Sequence, residues 1–130
     1  MCHLFFGFKS MSKPRLKLHV RILSNDEIAF GPGKADLLEA IQRTGSISQA
    51  AKSMNMSYRR AWQLVDTMNQ CFDSALVETQ TGGTHGGGAV VTEFGQTILK
   101  KFRVMENQAA QAIQQDFDEL SGLLKQKEYP

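Results

Sequence analysis

The first regular pattern in the chain is an alternation of apolar and polar residues over residues 15–23. The apolar side of this alternation consists of Leu16, Leu18, Val20 and Ile22. A period of two is typical of a β-strand with one buried face. Residues 24–26 are serine, asparagine and aspartate, which favour a turn, and the alternation resumes at Ile28 and Phe30. The pattern therefore predicts a β-hairpin over residues 15–30.

Two short helices are predicted after this hairpin. Residues 34–44 have helical apolar spacing, and Gly45 suits a left-handed C-terminal cap. Ser46 stands three residues before Gln49, which is the spacing of a capping box. A second helix of about eight residues is therefore expected to begin there.

A third helix is predicted from Ser57, a good N-cap, to about Gln70. Its apolar stripe consists of Tyr58, Ala61, Trp62, Val65 and Met68. Its opposite face carries Arg59, Arg60, Gln63 and Thr67. This spacing assigns Trp62 to the hydrophobic core and leaves the basic and polar side chains exposed.

Two short strands are predicted at residues 76–79 and 89–91, separated by a glycine-rich run that favours an exposed, mobile hairpin tip. Thr92 then caps a last helix over about residues 93–125, in which apolar residues recur every three or four positions. At ~1.5 Å per residue this helix is too long for a small domain to cover. Part of its stripe is therefore expected to pack against a partner.

The order of these elements predicts a winged helix-turn-helix. A helix pair joined by a short turn, with the second helix basic outside, is typical of this motif, and the small residues Ala50, Ala51 and Ala61 allow the two helices to cross closely. The glycine-tipped hairpin corresponds to the wing. The expected fold is α+β, mainly α, with an N-terminal β-hairpin and a long C-terminal dimerisation helix. Residues 1–13 are interpreted as a flexible tail and residues 14–130 as the domain.

Composition narrows the possible functions. The 130 residues carry a net charge of only +2, but residues 40–65 contain four basic residues and no acid, which favours contact with an anion through one face. Two distant cysteines, no secretory signal and no long apolar run favour a cytoplasmic protein without membrane contact. No nucleotide-binding loop, metal-ligand spacing or catalytic set is present in the pattern, so neither an enzyme nor a cofactor is predicted.

Three groups of residues together resemble the N-terminal DNA-binding domain of the molybdate-responsive regulators, the ModE family. They are Gly45-Ser46-Ile47-Ser48-Gln49-Ala50-Ala51, then Met56-Ser57-Tyr58-Arg59-Arg60-Ala61-Trp62 with Met68-Asn69, and then Thr81-Gly82-Gly83 with Gly86-Gly87-Gly88-Ala89 and Val91-Thr92-Glu93-Phe94-Gly95. The resemblance extends from about residue 16 to 120, and the helix-turn-helix part is also similar to LysR-type regulators. It implies a cytoplasmic transcription regulator that binds double-stranded DNA as a homodimer.

Two departures from the family pattern affect these expectations. Full-length members carry C-terminal molybdate-binding domains of small β-barrel type, and this chain stops before any, so molybdate binding is not expected here. The family's wing often carries basic residues where Thr79 and Thr84 stand, which weakens the expected attraction between wing and phosphate. His85 is expected either to supply part of that charge or to supply it only at low pH.

Candidate DNA contacts follow from the exposed face of the third helix, the start of the second and the wing tip. They are Ser46, Ser48, Gln49, Ser57, Tyr58, Arg59, Arg60, Gln63, Thr67, Thr84 and His85. Arg59 and Arg60 are the strongest candidates, because an arginine binds either guanine or a phosphate. Gln63 has the side chain that suits adenine. Hydroxyls and amides at the start of the second helix suit a phosphate.

The predicted function is sequence-specific transcription regulation, with a homodimer binding a pseudo-palindromic site. The first alternative is a protein-interaction module that keeps the winged-helix scaffold but binds protein through the same surface. The second is an antagonist that pairs with a full-length regulator. Steep salt dependence would favour DNA over a largely apolar protein contact.

Overall fold

A computed structural model describes residues 10–11, 13–80, 88–125 and 128–129. The chain divides into two compact units. One comprises His19–Asn107, and the other combines Met1–Leu18 with Gln108–Pro130. In the second unit, strands β1 (Ser10–Met11) and β6 (Glu128–Tyr129) pair in antiparallel register.

The hairpin of the first unit is shorter than the alternation predicts. Strand β2 (Ile22–Ser24) pairs antiparallel with β3 (Glu27–Phe30), and both turn residues, Asn25 and Asp26, have positive φ. Positive φ at two central positions marks the tight turn that suits a twisted hairpin. The prediction of a strand starting at residue 15 is wrong, because residues 13–21 form no strand. The partner strand ends at Phe30, where the chain turns into a helix, so no backbone remains for those residues to pair with.

Three capped helices follow, α1 (Pro32–Thr44), α2 (Ile47–Ser53) and α3 (Tyr58–Cys71). The predicted caps are confirmed. Gly45 has φ 72°, and its N–H donates to the Ile41 carbonyl at 2.7 Å. The Ser46 hydroxyl accepts from the Gln49 N–H at 3.1 Å, and the Ser57 hydroxyl accepts from the Arg60 N–H at 3.0 Å. Each cap satisfies a backbone group that a helix end leaves without an internal partner.

The core lies between these helices, the hairpin and the first turns of the last helix. Its largest fully buried side chains are Phe30, Leu37, Leu38, Ile41, Val65, Met68, Leu76 and Phe102. The rings of Phe30 and Phe102 meet edge to face with centroids 5.0 Å apart. Ala50, Ala51 and Ala61 are buried where α2 and α3 cross, as their small size predicts.

Strands β4 (Val77–Gln80) and β5 (Gly88–Val91) pair antiparallel and form the described part of the wing. Among the described residues, the wing is hydrogen-bonded both to the residue that ends α1 and to α3. The Ala89 N–H donates to the Gly45 carbonyl at 2.9 Å. The Asn69 side-chain oxygen accepts from the Leu76 and Val77 N–H groups, while its amide donates to the Val77 carbonyl. The glycine-rich tip, with the predicted contacts Thr84 and His85, lies outside the described residues.

The single helix predicted over residues 93–125 differs from the structure, which has α4 (Glu93–Ala112) and α5 (Gln114–Ser121). Thr92 caps α4 as predicted, since its hydroxyl accepts from the Gly95 N–H at 2.9 Å. Ile113 leaves helical geometry with φ −111° and ψ 9°. Apolar spacing continues through this residue without glycine or proline, so periodicity alone does not reveal the break. Within the described ranges, no helix has the length and apolar character needed to cross a bilayer.

Candidate nucleic-acid interface

Helices α2 and α3 form a helix-turn-helix whose second member is displayed outward. The turn runs through Met54–Ser57, where Asn55 adopts a left-handed conformation with φ 57°. The alanines at the crossing are buried, so the two backbones lie close together. On the outside of α3, Arg59, Arg60 and Gln63 are exposed, as the polar face predicts.

The exposed surface of α3 has a centre and two flanks. At 3.6 residues per turn, Arg59 and Gln63 share the central line, opposite the buried Ala61 and Val65. One flank is formed by Tyr58 and Trp62 and faces the wing, because both residues line a groove with wing residues. The other flank, which includes Arg60, faces the turn of the N-terminal hairpin.

Positive charge is confined to the N-terminal half of α3. Arg59 and Arg60 are the second and third residues of α3, and the helix has no acid before Asp66. Asp66 is exposed and accepts a hydrogen bond from the Gln70 side chain at 3.1 Å. A polyanion is therefore attracted to the first two turns of α3 and repelled further along. Asp66, which marks the end of the surface that attracts a polyanion, is not among the predicted contacts on this helix.

The Arg60 flank contains a lysine that the sequence pattern did not single out. Lys34 of α1 is only 7 % exposed and lines a depression of about 520 Å³ together with Arg60 and Glu27. Burial, and secondarily repulsion from Arg60, lower the pKa of Lys34. Arg60 is therefore part of a mixed-charge cluster with an acid nearby, whereas Arg59 lies on the central line.

The remaining predicted contacts differ in whether their polar groups already form hydrogen bonds within the protein. Ser46 and Ser57 cap helices through their oxygens, and each keeps its hydroxyl proton for donation to a phosphate oxygen. Thr67 is half-buried, and its hydroxyl donates to the Gln63 carbonyl at 3.0 Å, which weakens it as a DNA contact. Ser48 and Gln49 are exposed at the start of α2.

The prediction that Trp62 belongs to the core is wrong. Trp62 is 36 % exposed and Tyr58 is 53 % exposed, while Ala61, Val65 and Met68 fill the buried stripe. The indole N–H of Trp62 donates to the Tyr58 hydroxyl at 2.5 Å. Both aromatic residues stand at one edge of the predicted stripe, beyond the part that the hydrophobic core covers.

The two aromatic side chains line a groove of about 650 Å³ between the helix-turn-helix and the wing. The other residues that line it are Ser46, Ile47, Ser48, Gln49, Thr79, Gln80, Gly88 and Ala89. Gln80 and Trp62 were not among the predicted contacts. The available signal for Trp62 was its position four residues after Tyr58, which places both on the same edge of α3.

The chain is similar in sequence to known bacterial regulators over its helix-turn-helix region. The sequence profile for bacterial regulatory helix-turn-helix proteins of the lysR family matches residues 34–96. The chain is 43 % identical over 90 residues to the DNA-binding transcriptional dual regulator ModE of Escherichia coli, covering 69 % of this chain and 33 % of that protein. The transcriptional regulator ModE of Yersinia pestis is 36 % identical over 112 residues, or 84 % of this chain and 40 % of that protein.

A further relative is named for the binding of molybdenum-pterin and not for transcription regulation. The molybdenum-pterin-binding protein MopA of Rhodobacter capsulatus is 42 % identical over 83 residues, or 64 % of this chain and 31 % of that protein. The chain thus spans between 31 % and 40 % of the length of these three relatives. The full-length LTTR LysG from Corynebacterium glutamicum superposes with a TM-score of 0.49 at 24 % identity, over 68 % of this chain and 29 % of that one.

Proposed function

We propose that this chain, which carries a helix-turn-helix domain of the lysR family at residues 34–96 and is homologous to ModE regulators, acts as a sequence-specific DNA-binding transcription regulator. The observation that carries the proposal is the outward display of α3 with two arginines and no acid in its N-terminal half. A helix displayed in this way fits the major groove, which is ~12 Å wide.

Affinity and specificity come from different parts of this surface. Cationic side chains neutralise phosphates and release counterions, which supplies most of the non-specific binding. Gln63, on the central line, suits the edge of an adenine, and Arg59 beside it suits a guanine. Base pairs are therefore read from the centre of α3, while the flanks contact the backbone.

A homodimer is the proposed binding unit. On α4, Val104 and Met105 are exposed beside a shallow apolar depression that they line with Thr97, Lys100 and Lys101. Exposed apolar side chains grouped on one helix face are typical of an interface. Two copies joined through α4 would present two recognition helices to half-sites about 34 Å apart, or a multiple of that distance, on a pseudo-palindromic site.

Fluorescence anisotropy with labelled genomic fragments tests the proposal. Some fragments are expected to bind at least about a thousandfold more tightly than shuffled duplex of the same length and composition. Equal affinity for every fragment and for shuffled DNA would refute sequence-specific regulation.

One observation favours the alternative of a protein-interaction module. The described wing strands carry Glu78 and no basic residue. A titration with salt separates the two functions, because each neutralised phosphate contributes about −0.9 to the slope of log affinity against log salt. A ligand that binds this surface with a flat salt response would favour the protein-interaction reading.

A further inference from the structure

The groove between the helix-turn-helix and the wing has a composition unlike that of the α3 centre. Of the ten residues that line it, none carries a charged side chain. Hydroxyl and amide side chains line it at the start of α2 and on β4, next to Ile47 and the β5 residues Gly88 and Ala89. Its α3 side consists of the aromatic rings of Tyr58 and Trp62. A site that combines neutral hydrogen-bonding groups with exposed rings suits a ligand that has both an apolar ring and an acceptor oxygen.

The two aromatic residues are arranged so that one orients the other. The Trp62 indole N–H donates to the Tyr58 oxygen. This bond occupies an acceptor site of the phenol and leaves the Tyr58 O–H proton available to a further acceptor. A hydroxyl that already accepts a hydrogen bond becomes a better donor, because bonds in a chain polarise one another.

The position of the groove identifies what crosses it. When α3 occupies the major groove of DNA, as proposed above, the DNA strand at the edge of that major groove passes between α3 and the wing. That strand presents a deoxyribose ring and phosphate oxygens at every nucleotide. Both chemistries required by the groove are therefore supplied by one segment of DNA backbone.

We propose that the sugar–phosphate backbone of one DNA strand crosses this groove, with the Trp62 ring against a deoxyribose and the Tyr58 hydroxyl donating to the adjacent phosphate. This inference rests on the proposed DNA-binding function and adds Trp62 to its contacts. Because the groove is neutral, these contacts release no counterion of their own. They add affinity that salt does not remove.

Intrinsic fluorescence tests the contact directly, since Trp62 is the single tryptophan of the chain. Acrylamide is a suitable quencher because it is uncharged and is not repelled by DNA. When the highest-affinity duplex saturates the protein, the acrylamide quenching constant is expected to fall at least twofold. An unchanged constant at saturation, with saturation established by anisotropy, would overturn the inference and leave the proposed function standing.

Salt titrations of variants provide a second test of the same contacts. Tyr58→Phe keeps the ring and removes the hydroxyl, so its affinity should fall about tenfold with the salt slope unchanged. Trp62→Ala should lose a similar factor with the same slope, and Trp62→Phe should recover part of it. Arg60→Ala, which removes a cation from the flank that contacts phosphates, should in contrast reduce the slope by about one.

Leu23→Ala is the matched control, because Leu23 is an exposed apolar residue of the hairpin that does not line the groove. Its affinity should equal that of the unmodified chain. Circular dichroism melts establish that each variant is folded before it is titrated. If Trp62→Ala and Tyr58→Phe are folded and bind like the control, the groove does not hold the backbone. If no duplex binds the unmodified chain, the proposed function fails and this inference fails with it.

Discussion

Arg103 of α4 connects that helix to α1, and its replacement by methionine should be strongly destabilising. The guanidinium donates from Nε and Nη2 to the two oxygens of Glu39 at 3.1 and 3.0 Å. It also donates to Asp36 at 2.7 Å and to Glu106 at 2.9 Å. The hydrogen bond to Glu39 is the main reason that the pKa of Arg103 is raised above the ordinary arginine value, so the group stays charged.

The expected loss follows from the geometry. A single exposed ion pair contributes about 0.2–1 kcal/mol, and two-pronged arginine pairs are at the strong end of that range. The pair with Glu39 is two-pronged and partly buried, whereas Asp36 is more than half exposed. Removal of the cation also leaves three carboxylates around one gap. Together these effects predict that Arg103→Met lowers the free energy of unfolding by about 2 kcal/mol.

Urea denaturation at fixed protein concentration and at two salt concentrations measures this loss. The difference between Arg103→Met and the unmodified chain should shrink at high salt, because the network is partly exposed. Lys52→Met is the control, since Lys52 is exposed on α2 and forms no ion pair among the described residues. A loss below about 0.5 kcal/mol, equal to that of the control, would refute the reasoning.

Three further predictions concern charge and assembly. Arg59→Ala should weaken specific DNA binding by about 1–3 kcal/mol and relax base preference, and an unchanged site preference in a competition assay would remove Arg59 from base recognition. The lowered pKa of Lys34 means that the folded state binds fewer protons than the unfolded state between that lowered value and 10.5, so stability should rise with pH in this window. Lys34→Met should abolish the rise in denaturation curves recorded from neutral pH to about pH 10, and an identical pH slope would contradict the assignment. Met105→Glu should shift the chain from dimer to monomer in light scattering at micromolar concentration, and a persistent dimer would place the interface elsewhere.

The features that the sequence predicted best are those fixed by neighbouring residues. Ser46 and Ser57 bond to backbone groups three positions away, and Gly45 adopts a conformation that costs other residues free energy. These choices depend on local chemistry alone. The helix boundaries of α1, α2 and α3 could therefore be predicted closely from single residues.

The features that the sequence did not predict depend on partners distant along the chain. Residues 15–21 alternate correctly for a strand, but a strand also needs a paired neighbour, and β3 ends too early to supply one. Lys34 has the polarity of a surface residue, yet it is buried near Arg60, Glu27 and Cys71. Such burial depends on how the hairpin and α3 pack around α1. The apolar periodicity of α1 carries no information about that packing.

Trp62 shows how the same limit affects the functional site. A stripe of five apolar residues on α3 is wider than the surface that α1, α2 and the hairpin cover, so one edge must remain outside the core. The edge that stays exposed is set by Asn69 and Gly45, which hydrogen-bond the wing in a fixed position beside it. Exposed aromatic side chains that are grouped on one face are typical of an interaction site. The division of α3 into a cationic centre and a neutral aromatic flank therefore follows from wing placement, and in the proposed DNA complex it separates salt-sensitive attraction from salt-independent contact on one helix.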